Sequence, residues 1–228
     1  MTEYVRYAIY WLPEGSLRDW GEAWLGWQMA TGTALPRPVV AALPRALDDL
    51  TAAATAYGLH ATIKPPFRLT PGHSVAALHA AFAAFCAAER PVEAAGLHLT
   101  DLGGFMALTP SGDCAAIDAL AARAVDALDP FRAPAPRAEI ARRRDAGLTA
   151  RQEELLRRWG YPYVLDEFRF HVTLTGRLTA SEAALLRVAL APLVTPLLAP
   201  RLRVAGLSLV GQLAQGGFRL IAHHDFPG

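Results

Sequence analysis

GLHATIKPPFRL (Gly58–Leu69) and FRFHVTLTGRL (Phe168–Leu178) are two short stretches of one pattern, and that pattern decides how the chain is read. Each holds a histidine, one apolar spacer, a threonine and an aliphatic residue. A single such match is common by chance. Two copies, with the histidines at 60 and 171, invite a search for a longer repeat.

That repeat exists. AGLHL (Ala95–Leu99) returns as AGLSL (Ala205–Leu209), and GGFMAL (Gly103–Leu108) returns as GGFRLI (Gly216–Ile221). The offsets, 110 and 113 residues, bracket the histidine offset of 111. Each half also reads in the same order of strand, helix, strand, turn, strand. The chain is therefore expected to be one domain over 1–228 made of two copies of a unit, roughly 1–112 and 113–228, with an extra helical insert near 129–166. The expected class is α+β. A pseudo-twofold relation would set equivalent strands side by side, so that the two histidines face one another across a cleft.

The local signals fill in the elements. Val5, Tyr7, Ile9 and Trp11 alternate with Tyr4, Arg6, Ala8 and Tyr10, the two-residue period of a strand. Ser16 is expected to cap a helix whose stripe holds Trp20, Trp24 and Trp27. A second helix is expected over Ala41–Tyr57, stopped by Gly58, and further helices over Ser74–Ala88, Asp113–Leu128 and Thr179–Leu198. Strands are expected over Val92–Leu99, Phe105–Pro110, Leu202–Leu209 and Phe218–His223. In the insert, Gly147 separates two short helices and Thr149 caps the second.

Composition narrows the function. Of 228 residues 53% are apolar and 19% charged, which fits a folded globular protein. The formal net charge of +1 argues against a long nucleic acid as partner, since tracking many phosphates needs a strongly basic face. A small phosphorylated substrate needs only a local cluster of donors. The N-terminus lacks the basic start and apolar run of a secretory signal, and Ala183–Pro200 is interrupted by Arg187, Pro192 and Pro196, so a membrane span is not expected. A cytoplasmic protein is the expectation. Cys86 and Cys114 build neither a disulfide framework nor a zinc site and read as packing residues.

On a strand, residues i, i+2 and i+4 share a face. That places His60, Thr62 and Lys64 together, and likewise His171, Thr173 and Thr175, with the apolar spacers turned inward. Two facing imidazoles suit one proton removed and one delivered near neutral pH. The threonine hydroxyls are suited to donate to phosphoryl oxygens. Lys64, the only lysine against 21 arginines, is a candidate substrate contact. The predicted chemistry is opening of a phosphodiester without a metal.

At this point the chain resembles the two-histidine (2H) phosphoesterase superfamily, whose mark is a pair of H-x-[ST]-aliphatic motifs, here His60–Ile63 and His171–Leu174. Together RYAIYWLP, GLHATIKPPFRL, RWGYPYV and FRFHVTLTGRL are similar to a subgroup encoded beside carbon–phosphorus lyase genes in bacteria and linked to phosphonate metabolism. The resemblance implies a bilobal fold whose antiparallel sheets line a central groove with helices outside. It implies metal-independent and cofactor-free chemistry on cyclic phosphates or 2′,5′-linked nucleotides, a ribose cyclic phosphate being an apt substrate. His60 and His171 would be the acid/base pair, and Thr62 and Thr173 the phosphate donors. Tyr10, Arg143 and Tyr163 are secondary candidates, set against ordinary roles as core aromatic, solvated helix face and loop packing. The arginines of the insert would form either a lid over an anionic substrate or a charged surface. Competing readings are a phosphodiesterase for RNA ends bearing a 2′,3′-cyclic phosphate, a phosphate-ligand sensor without turnover, and a metallohydrolase built on His223, His224 and Asp225.

Overall fold

In the computed structural model, which describes residues 3–228, eleven strands and seven α-helices follow in chain order. These are β1 (Tyr4–Trp11), α1 (Gly15–Leu25), β2 (Trp27–Gln28), β3 (Thr33–Ala34), α2 (Leu47–Thr55), β4 (Ala61–Phe67), α3 (Val75–Ala88), β5 (Val92–Ala95), β6 (Leu97–Asp101) and β7 (Met106–Pro110). Then come α4 (Ala115–Ala127), α5 (Arg137–Arg144), α6 (Ala150–Trp159), β8 (Val172–Thr173), α7 (Ala180–Val194), β9 (Arg201–Val204), β10 (Gly206–Leu213) and β11 (Phe218–Asp225). The class is α+β, built on one seven-stranded sheet in the order β11-β10-β1-β4-β8-β7-β6 with every pairing antiparallel.

The two motif strands lie next to each other in that sheet, Ala61 pairing with Val172. The equivalent strands β5 and β9 also pair, as a separate ribbon. Around this approximate axis β6 and β10, which carry the AGLHL and AGLSL repeats, each sit two strands out from a motif strand. The hairpin of each sequence half has crossed over, so β6–β7 flank β8 while β10–β11 extend the side of β1 and β4. Strand β7 fills beside β8 the slot that β1 fills beside β4. The outermost strand β11 has no opposite number beyond β6. The sheet therefore runs three strands outward from β4 and two from β8.

One sheet face carries the main core. Tyr7, Ile9, Ala61, Ile63, Met106, Leu108, Val172 and Leu209 pack there against Leu78 and Phe82 of α3, Leu120 and Ala124 of α4, and Leu186 and Leu190 of α7. A side chain of that size contributes about 1.5–3 kcal/mol when fully buried, which explains how the two-residue strand β8 holds its place. Val172 and Leu174 are fully buried, Leu174 N donates to Met106 O, and Trp24 Nε1 donates to Leu174 O at 2.8 Å. By length and composition Ala180–Leu197 could cross a membrane, yet Ala183, Leu186, Leu190 and Val194 seat α7 in the core. Cys86 packs in the same core and Cys114 at its margin.

The tryptophan stripe is shorter than its spacing suggests. Gly26 takes a left-handed conformation (φ 67°) and ends α1, so Trp27 opens β2 and donates Nε1 to Phe218 O at 2.7 Å. The helix expected from Ala41 begins only at Leu47, past Pro44. Gly96 divides the strand expected over Val92–Leu99 into β5 and β6. The two helices of the insert form as the sequence suggests, with a reciprocal cap between Thr149 and Gln152.

Candidate active site

Antiparallel pairing of Ala61 with Val172 places His60 opposite Thr173 and Thr62 opposite His171. The four polar side chains thus share one sheet face at the corners of a rectangle. Directly opposed residues have Cβ atoms about 4.5–5.5 Å apart, and diagonal ones about 7–8 Å. The two histidines occupy a diagonal, a separation suited to reaching opposite oxygens of one phosphorus centre.

Both imidazoles are oriented alike. His60 Nδ1 lies 2.9 Å from Gly58 O, and His171 Nδ1 lies 2.7 Å from Arg169 O. A carbonyl only accepts, so each ring carries its hydrogen on Nδ1 and presents Nε2 to the cleft. Each carbonyl belongs to the residue two positions earlier, so the strand entrance itself sets the tautomer. His60 Nε2 is 2.8 Å from Thr62 Oγ1, which must donate. The environments differ in burial. His60 is buried and stacks on Tyr10 with ring centroids 3.6 Å apart, whereas His171 is half-buried beside Phe105. Desolvation drives the His60 imidazole down to about 4; its bond to Gly58 opposes this, and His171 adds to it.

The rectangle floors a groove with two ends. On one side a cavity of about 300 Å³ is lined by His60, Thr62 and Thr173 together with Arg6, Tyr57, Arg143 and Tyr161. On the other a cavity of about 500 Å³ runs past His171 between Phe105, Tyr163 and Phe168. Thr62, Pro65 and Tyr161 border both.

Lys64 corrects the simple alternation. Ile9 pairs with Lys64 while Tyr10 pairs with Thr62, so Ile63 is an extra, bulged residue. The bulge turns Lys64 to the core face, where it is 2% exposed and donates Nζ to Val125 O at 2.8 Å and to Asp129 at 3.4 Å. It does not reach the cleft. Thr175 also turns structural, accepting from Met106 N and donating to Gly176 O.

The remaining candidates are placed as follows. Tyr10 lies under His60, fully buried, and its hydroxyl has no partner among the described residues. Arg143 enters the first cavity from α5, 4.4 Å above the Tyr161 ring. Tyr163 borders the second cavity, edge-on to Tyr161. Of the other insert arginines, Arg144 and Arg157 pair with Glu153, and Arg151 with Glu154 and Asp166, at the surface. Sequence reading passed over Arg6, Tyr57 and Tyr161. Arg6 shares the period of Ala8 and Tyr10 and was findable from it. Tyr57 reaches the cavity only because α2 ends beside β4.

Elsewhere, His223 sits between Ser208 (2.9 Å) and Asp225 (3.2 Å), and His224 faces His79 (3.0 Å). Among the described residues no group of three His, Cys, Asp or Glu is placed to hold a metal ion.

Two curated bacterial relatives are similar to most of the chain. One, from Janthinobacterium sp. (strain Marseille), is 41% identical over 181 residues. The other, from Laribacter hongkongensis (strain HLHK9), is 43% identical over 182. Both are named ribose 1,5-bisphosphate phosphokinase PhnN. The alignments cover 78% and 76% of this chain but only 40% of each relative, so the chain spans under half of their length. Among solved structures, TT0787 of Thermus thermophilus is 15% identical with a TM-score of 0.45 over 98% of both chains. E. coli LigT complexed with 3′-AMP is 13% identical with a TM-score of 0.41, over 99% of this chain and all of that one. Residues 62–219, which include Thr62 and the whole second motif, match the family described as protein of unknown function (DUF1045), and the chain belongs to that family.

Proposed function

We propose that the protein is a metal-independent phosphodiesterase of the two-histidine type that opens a cyclic phosphate on a small sugar or nucleoside phosphate. The observation that supports this reading is the Ala61–Val172 pairing, which puts both histidines and both threonines on one sheet face, each ring with its Nδ1 tied to a backbone carbonyl.

The roles follow from the surroundings. His60, neutral and desolvated with its hydrogen on Nδ1, is the general base. His171, more open to solvent, is the general acid. As substrate binds, Thr62 turns its hydroxyl from His60 to a phosphoryl oxygen and frees the Nε2 lone pair. Thr173 donates from the other side. Water then attacks phosphorus, and its proton passes to His60. The opposite P–O bond breaks, and its oxygen takes a proton from His171. One water is added across one P–O bond. Solvent exchange resets the two rings.

The relatives named for ribose 1,5-bisphosphate support a ribose cyclic phosphate as substrate, as does the resemblance to the phosphonate-linked subgroup. The aromatic cavity beyond His171 favours a second substrate, a nucleoside 2′,3′-cyclic phosphate or an RNA end bearing one, whose base would stack there.

Hydrolysis of a ribose cyclic phosphate and of adenosine 2′,3′-cyclic phosphate, measured after dialysis against a chelator, tests the proposal. Activity is expected to survive the chelator and to fall about 10²–10⁴-fold in His60→Ala and in His171→Ala. Dependence on a metal, or full activity in both variants, refutes it. Tight binding without turnover would instead make the cleft a sensor.

A further inference from the structure

The cavity beside His60 holds more positive charge than a lone phosphodiester uses. Glu139 of α5 accepts from Arg143 Nη2 at 2.8 Å and from Arg68 Nη1 at 3.2 Å. Its carboxyl lies below the usual range: burial works against this, but the bonds from Arg143 and Arg68 and the charge of Arg6 prevail. One carboxylate thus faces three guanidiniums. Of these, Arg6 and Arg143 line the cavity.

Arg143 is also incompletely paired. Its side chain is 19% exposed, yet Nε is buried and has no partner among the described residues. The guanidinium is held over Tyr161, its Cζ 4.4 Å from the ring centroid, and by Glu139, so its position is set before any ligand arrives. Arg6 is braced in turn by Gln212, to which its Nε donates at 2.7 Å. The cavity, about 300 Å³, is at the small end of ligand sites and suits a sugar carrying compact anionic groups.

We infer that Arg143 and Arg6 form a second anion subsite, and that the substrate carries a terminal phosphate monoester besides the phosphodiester held by the histidines and threonines. The fork of Arg143 grips the dianion and Arg6 supplies the second charge. This deepens the phosphodiesterase reading and rests on it for the identity of the reacting group. It makes the preferred substrate a bis-phosphorylated pentose or nucleoside, and the middle insert the element that selects it, since α5 delivers Arg143.

Titration calorimetry of the full chain with adenosine 2′-monophosphate and adenosine 2′,5′-bisphosphate reads the second phosphate without turnover. The wild type is expected to bind the bisphosphate about 10- to 100-fold more tightly, the range of one or two charge-assisted contacts. Arg143→Met should bring that ratio close to one, and Arg143→Lys should leave an intermediate preference, because it keeps the charge and loses the fork. Arg6→Met supplies an independent reading if Arg143→Met unfolds. A wild-type ratio near one, or an undiminished ratio in folded Arg143→Met and Arg6→Met, overturns the subsite. Scoring turnover of adenosine 2′,3′-cyclic phosphate in parallel keeps the two ideas apart. Turnover with a ratio near one removes only the subsite. A preference for the bisphosphate, with no turnover of a ribose cyclic phosphate or of adenosine 2′,3′-cyclic phosphate with or without a 5′-phosphate, supports the subsite and removes the phosphodiesterase reading.

Discussion

At the scale of single residues, His60 and Lys64 show how burial decides what a titratable side chain does. His60 is desolvated enough to stay neutral down to a pH of about 4. If it is the base, the acidic limb of kcat/KM for a cyclic phosphate falls near that value and not near 6.5, the ordinary imidazole value. A limb near 6.5 that disappears in His60→Gln would show the ring to be far better solvated than its stack on Tyr10 implies. Lys64 is held down to about 8, burial being the main cause and Asp129 opposing it. Removing one partner of a buried ion pair is costly when it strands the other charge, but Asp129 is part-exposed and keeps Arg132 at 2.7 Å as a partner. Lys64→Met is therefore expected to shift stability by no more than about 2 kcal/mol and to leave kcat/KM within about twofold, since a side chain turned away from the cleft meets no substrate. A loss of tenfold or more with an unchanged melting temperature would return Lys64 to the site.

At the scale of elements, the joint between α2 and β4 does two jobs with one glycine. Gly58 adopts φ 75°, lets the chain leave α2, and presents the carbonyl that fixes the His60 tautomer. A Cβ there would come within 2.5 Å of Met29 Cε and 3.2 Å of the Trp27 ring. Gly58→Ala should thus lower stability by about 1–2 kcal/mol from the left-handed backbone alone, with further loss from the clash. It should also lower kcat more than it raises KM, because the His60 ring is displaced. Chemical denaturation and steady-state kinetics read the two effects separately; an unaffected kcat would show that the carbonyl does not orient the ring. The bulge at Ile63 is the other decisive local feature. It turns Lys64 inward while leaving Thr62 beside His171.

At the scale of the whole molecule, the site exists because strands from distant parts of the chain share one sheet, so its charge state is tied to folding. Above pH 6.5 His60 is neutral both folded and unfolded and does not affect stability. As pH falls below 6.5 the unfolded chain takes up a proton that the native state refuses until about 4. Stability is lost across that window, by about 3 kcal/mol at most. Urea denaturation at pH 7 and pH 4.5 should show this loss in the wild type and a smaller one in His60→Gln. Equal losses in both would mean that His60 contributes nothing to acid sensitivity. The order of strands about the β4–β8 pair is also a whole-molecule property, with β7 matching β1 and β6 matching β10 in position while β11 has no opposite number. The cleft is asymmetric as well, with Arg143 of α5 at one end and Phe105, Tyr163 and Phe168 at the other.

Periodicity and repetition, which are local or nearly so, were enough to read the α+β class, the two short helices around Gly147 and the adjacency of the two histidine motifs. Strand alternation also predicted that Thr62 and Thr173 would share the histidines' face. Three things were decided only by tertiary structure: the side of the sheet on which Lys64 lies, the crossover of the two hairpins, and the gathering of Arg6, Tyr57, Arg143 and Tyr161 around one cavity. The physical reason is common to all three. A bulge is defined by the partner strand's register, a crossover by which edges pair, and a cavity by elements far apart in sequence, and none of these leaves a period in the chain itself.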